Sequence, residues 1–168
     1  MNRIVQSAFL TLVVLAAGCA SGPDFKTYTA TLTPPSPGQS RVWFYRPSKM
    51  MGAAVQPQIV LNDVPVGKAQ PGCFFYADKA PGTYEVKCTT EWSDKTQLTV
   101  VENSPAYVRL TILPGLFVGH MSPSVVPEAQ ALKEIQACRL ITADGANKDW
   151  KPPGNGDVSP KANTGDSH

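Results

Sequence analysis

The run Arg41-Val42-Trp43-Phe44-Tyr45-Arg46-Pro47 decides the fold class. Four consecutive β-branched and aromatic residues between two arginines leave no helical stripe. They fit a pleated strand buried on both faces, and Pro47, which cannot donate to a ladder, stops it. Alternation puts Trp43 and Tyr45 on one face and Val42 with Phe44 on the other. One face meets a core, and the other needs a cover, which either a helix or the N-terminal segment would supply.

Further strands follow at close spacing. Gln58 to Leu61 and Val64 to Lys68 flank Asn62-Asp63, a dipeptide that tolerates positive φ and suits a two-residue hairpin. Gly72 to Ala77, Thr83 to Thr89, Gln97 to Val101 and Ala106 to Leu113 are separated by Ala80-Pro81-Gly82, Trp92 to Lys95 and Asn103-Ser104-Pro105. Seven short strands predict a mainly β protein, a two-sheet antiparallel β-sandwich. One C-terminal α-helix is expected over Pro127 to Leu140, with Ala131, Leu132, Ile135 and Cys138 recurring at helical steps. Pro114 to Gly119 reads as an irregular crossover or a short edge strand. Tyr84, just after the Pro81-Gly82 corner, is expected to bury its ring and send its hydroxyl to a nearby backbone group.

The two ends differ in composition from this body. Ala8 to Ala17 is apolar apart from Thr11, too short to span a bilayer, follows the lone cation Arg3, and leads into Leu15-Ala16-Ala17-Gly18-Cys19. This resembles the bacterial lipobox. The resemblance implies that residues 1–18 are a signal peptide and that Cys19 becomes a lipidated N-terminus. Residues 19–38, with Pro34-Pro35-Ser36-Pro37-Gly38, read as a flexible tether able to reach about 60 Å. Residues 39–141 form the sandwich with its helix, and residues 142–168 a disordered tail. Ala20 lacks the Asp that retains similar lipoproteins in the inner membrane, so the expected location is the outer membrane, lipid-anchored and facing the periplasm.

Composition excludes several classes. Without residues 1–18, which contain Arg3 alone among charged residues, 14 Lys and Arg oppose 13 Asp and Glu. The cations are scattered, so nucleic acid is not an expected partner. Only His120 and His168 are present and no Cys-x-x-Cys occurs, so neither a metal site nor a cofactor is expected. After Cys19 the cysteines are Cys73, Cys88 and Cys138, which allow one disulfide. Cys73 and Cys88 share the parity of the core residues Phe75 and Val86, and this pairing is expected, with Cys138 as the rival partner for either thiol.

In the order of its motifs the chain resembles the DUF2846 family of bacterial lipoproteins. The likeness rests on Arg41 to Pro47, Gly52-Ala53-Ala54, the Asn62 hairpin with Val66-Gly67, Phe74-Phe75-Tyr76, the corner Pro81-Gly82-Thr83-Tyr84, and Ala131 to Ile135. Asp63 departs from the Gly common in that hairpin. The resemblance covers roughly Gln39 to Ile141 and implies a prealbumin-like or Ig-like sandwich at the cell envelope, with no established reaction.

No nucleophile elbow or acid–base pair is legible, so no enzyme is expected. Ser122-Pro123-Ser124 near His120 would support only a weak hydrolase, and Pro on either side of Ser124 favours an extended loop. The expected role is a non-catalytic binding or structural module; an accessory or inhibitor of an envelope enzyme is the alternative. If the face bearing Trp43 and Tyr45 is uncovered, those rings with Trp92 form a platform for a cell-wall glycan or an envelope protein. Arg41 and Arg46 would then hydrogen-bond an anionic ligand.

Overall fold

The computed structural model describes residues 22–50, 52–89, 94–114 and 119–141. Cys19 and the expected signal peptide, Trp92, the centre of the 114–119 crossover and the C-terminal residues from 142 lie outside them. The elements in chain order are α1 (Phe25–Ala30), β1 (Ser40–Arg46), β2 (Gln58–Leu61), β3 (Val64–Lys68), β4 (Cys73–Lys79), β5 (Gly82–Cys88), β6 (Lys95–Val100), β7 (Ala106–Leu113), β8 (His120–Val125), α2 (Glu128–Ile135) and β9 (Arg139–Leu140).

The strands form two sheets, ordered β8-β7-β1-β4-β9 and β3-β2-β5-β6. The sandwich expected from strand spacing is therefore present, and each of the seven strands read from the sequence lies within two residues of its place. The four-stranded sheet is antiparallel throughout, with Asn62 and Asp63 at φ 48° and 67° in the β2–β3 turn. The five-stranded sheet is mixed: β1 runs parallel to β7, and β4 parallel to β9.

β1 is central and buried on both faces, because the sheet has a layer on each side. Val42 and Phe44 pack into the core between the sheets with Phe75, Tyr84 and Leu110. Trp43 and Tyr45 pack into a second core beneath the helices with Phe25, Phe74, Ala131 and Ile135. Both candidate covers are thus used. Phe25 of α1 meets Trp43 edge-on at 4.9 Å, and Phe74 at 5.3 Å.

Four expectations are corrected by the packing. Residues 25–30, expected as tether, form α1, capped by Asp24, whose carboxylate accepts from the Thr27 N–H at 2.9 Å. The segment is already packed at the first described residues, where Gly22 is buried, Leu140 N–H donates to Pro23 O at 2.9 Å and Asp24 bridges Arg139. The helix expected to run to Leu140 stops at Ile135, since Arg139 and Leu140 leave it to pair with the open edge of β4. His120 and Ser122-Pro123-Ser124, expected as loop, form the edge strand β8, the position in a sheet where a missing N–H is tolerated.

The fourth concerns the cysteines. Cys73, Cys88 and Cys138 are all buried, and none is joined in a disulfide. Cys73 and Cys88 do face the same core, as their parity required. Their strands, however, lie in opposite sheets. Cys138 sits on the other side of the five-stranded sheet, where its thiol donates to Arg46 O at 3.7 Å.

A cationic cleft as candidate functional site

The aromatic platform expected on β1 is not exposed. Trp43 is 5% and Tyr45 0% accessible, for the helical layer lies over both. Arg41 forms a two-pronged ion pair with Asp78 at 2.7 Å for each contact and stacks its guanidinium 4.4 Å from the Tyr76 ring centre. These contacts engage its planar fork inside the protein. His120 meets Asp94 at 3.4 Å on the β8 edge and lines neither cavity described below.

What the fold does assemble is a cleft at the Arg46 end of β1. Arg46 is 3% exposed, and it donates to the carbonyls of Val55, Ala69 and Gly52 at 2.5, 2.7 and 2.8 Å. These bonds close the loop after β1. Arg46 has no carboxylate partner among the described residues, and burial lowers its affinity for the proton. The parallel register sets Arg109 of β7 beside Tyr45. Above them α2 brings Glu134, which accepts from Tyr45 Oη at 2.7 Å, Gln130 Nε2 at 2.9 Å and Arg109 Nη1 at 3.2 Å.

Burial works against ionisation of Glu134, but the hydrogen bonds of Gln130 and Tyr45 and the charge of Arg109 outweigh it and hold its carboxyl below the usual range. Burial, reinforced by this carboxylate, pushes the Tyr45 phenol well above its ordinary value. The glutamate is therefore ionised and the tyrosine neutral near pH 7, so their bond is a charged acceptor on a neutral donor.

Arg46, Lys49, Arg109 and Glu134 line a cavity of about 330 Å³ whose apolar wall includes Leu110 and Ile112. Three cations face one carboxylate there. Arg109 Nε itself is buried away from the cleft and has no hydrogen-bond partner among the described residues. A second cavity of about 530 Å³ lies where the N-terminal segment crosses the sheet, with Trp43, Tyr107, Pro34, Pro35 and Arg41 in its wall. Gln39 Oε1, on the same wall, is a buried acceptor with no partner. No cluster among the described residues is fit to hold a metal ion.

Residues 36–121, just over half the chain, match the family described as protein of unknown function DUF2846. The chain belongs to that family. Arg46, Lys49 and Arg109 of the cleft fall inside the DUF2846 match, whereas Glu134, the acid that pins Arg109, lies beyond it. The chain is also similar to an uncharacterized protein of Haemophilus influenzae, 24% identical over 143 residues that cover 82% of this chain and 84% of that one. No solved structure matches the chain significantly.

Arg46 alone of the cleft residues was singled out by sequence reasoning. Lys49, Arg109 and Glu134 were missed. The available signal was Arg109 itself, one charge inside the otherwise apolar or neutral strand Ala106 to Leu113.

Proposed function

We propose that this DUF2846 protein is an outer-membrane lipoprotein, anchored through Cys19 and facing the periplasm, whose sandwich is a non-catalytic binding module for an anionic ligand. The observation that carries the binding role is the cleft beside Arg109: three cations against one carboxylate, next to an apolar wall, suit a carboxylate or phosphate borne on a partly apolar molecule. No helix among the described residues is long and apolar enough to cross a membrane, so a helical anchor, if one exists, lies outside them. The lipobox-like run ending at Cys19 supports lipid attachment instead.

The test uses the chain without residues 1–18, titrated with inorganic phosphate and with soluble cell-wall muropeptides while backbone amide signals are followed. Shifts confined to Lys49, Arg109 and their neighbours, abolished by Lys49→Glu, are expected. Shifts absent with both probes would refute the cleft as a ligand site. Mass spectrometry of the chain from membranes tests the anchor: residues 1–18 should be missing and acyl groups present on Cys19.

A further inference from the structure

A buried residue, Gly22, lies very near the proposed point of lipid attachment. Between Cys19 and Gly22 stand only Ala20 and Ser21. Gly22 is buried, and a Cβ there would lie 2.4 Å from the Leu140 carbonyl oxygen. Pro23 and Asp24 then bind the outer side of β9, and Phe25 enters the aromatic core under α1. The body is thus held from Gly22 onward.

Three Cα steps of at most about 3.6 Å each place Gly22 no more than about 11 Å from the Cys19 Cα. The acyl chains on Cys19 lie in hydrocarbon, and the headgroup layer above them is roughly 5 to 7 Å deep. Even a fully extended leash therefore leaves Gly22 within a few ångströms of the headgroups. A long tether would separate domain and bilayer, but α1 already packs into the aromatic core from Phe25, so the irregular segment 31–39 lies beyond the first anchored residues and does not lengthen the leash.

Resting on the lipid-anchor reading, we infer that the domain lies directly on the bilayer, with the β9 edge and the first turn of α1 as its membrane-facing surface. The charges at this edge are compatible with an anionic headgroup layer. Lys26 and Arg139 are exposed, and Asp24 is the acid beside them, 3.9 Å from Arg139. The opposite edge of the same sheet, β8, lies four strand spacings away, roughly 19 Å at 4.8 Å each. It faces away from the lipid.

The experiment uses the full lipidated chain in vesicles of phosphatidylethanolamine and phosphatidylglycerol that contain a headgroup-linked nitroxide. A fluorophore is placed at Lys26→Cys or at Val125→Cys, both exposed positions. Quenching several-fold stronger at position 26 than at 125 is expected. It should fall to the level of position 125 when a flexible Gly-Ser linker of about 12 residues separates Ser21 from Gly22. Equal quenching at the two sites in a chain whose mass shows acylated Cys19 overturns this inference and leaves the anchor reading intact. A mass without acyl groups overturns both.

Discussion

The Tyr84 hydroxyl donates to the carbonyl of Ala80 at 2.9 Å, closing the short connection by which the chain passes from β4 in one sheet to β5 in the other. Ala80 would otherwise present its acceptor at a corner that no ladder serves. The Tyr84 ring is fully buried between the sheets, and burial raises its phenol pKa, so the hydroxyl stays a donor at any physiological pH.

Two substitutions separate the ring from the hydroxyl. Tyr84→Phe should lose the single hydrogen bond, about 1 kcal/mol. Tyr84→Ala should also lose the buried ring, for about 3 to 5 kcal/mol. Urea denaturation followed by circular dichroism measures both. A Tyr84→Ala midpoint equal to that of the unaltered chain would show that the corner does not depend on this residue.

Glu134 makes the attachment of α2 sensitive to acid. Its carboxyl has a lower pKa folded than the ordinary 4.5, so folding is favoured by its ionisation. That stability is fully present above about pH 4.5 and is lost as pH falls through the lower folded value. Glu134→Gln, which retains an acceptor without the charge, should flatten the part of the stability–pH curve that lies below about pH 4.5. Unchanged pH dependence in the variant would assign the acid sensitivity elsewhere.

Burial pushes the Cys88 and Cys138 thiols up to about 12, so neither is a thiolate at neutral pH. The Cys19→Ser chain, purified without reductant, should resist alkylation while folded. After unfolding, Cys73, Cys88 and Cys138 should each gain one label, with no linked peptide in a non-reducing digest. A peptide joining Cys73 to Cys88 would restore the bridge expected from parity and require the two sheets to approach there.

Gly22→Ala should loosen the N-terminal clasp, because the new Cβ meets the backbone oxygen of Leu140 and not a flexible side chain that could yield. Amide hydrogen exchange over residues 23–30 should accelerate by roughly tenfold or more, while β2 and β5 keep their protection. Equal acceleration throughout would mean that the clasp and the sandwich unfold together.

Much of this architecture was legible locally. Val42, Phe44 and their alternating neighbours declared a strand with two buried faces; Asn62-Asp63 declared a hairpin, and Pro81 to Tyr84 a corner with a pinned ring. Each signal spans a few residues, since side-chain direction has period 2 in a strand and positive φ is tolerated by few residue types. The parallel pairing of β1 with β7 had no such signal. It joins Tyr45 to Arg109 across more than sixty residues and is chosen by how the two sheets and α2 bury their apolar faces together. That choice made the cleft, by bringing Arg109 and Glu134 to a strand end where the sequence showed only Arg46.

The N-terminal segment makes the same division plain. Prolines 34, 35 and 37 correctly ruled out a strand there, and composition alone read the whole stretch as a tether. Phe25 reversed this for the residues before them, because the exposed side of Trp43 and Phe74 offered one aromatic ring more burial than solvent could. Sequence by itself determined the strands, the turns and the parity of their faces, which depend on neighbours in the chain. Only the tertiary structure decided which cover lay over β1, which cysteines could meet and where the charges converged, because those depend on surfaces that exist only after the chain has folded.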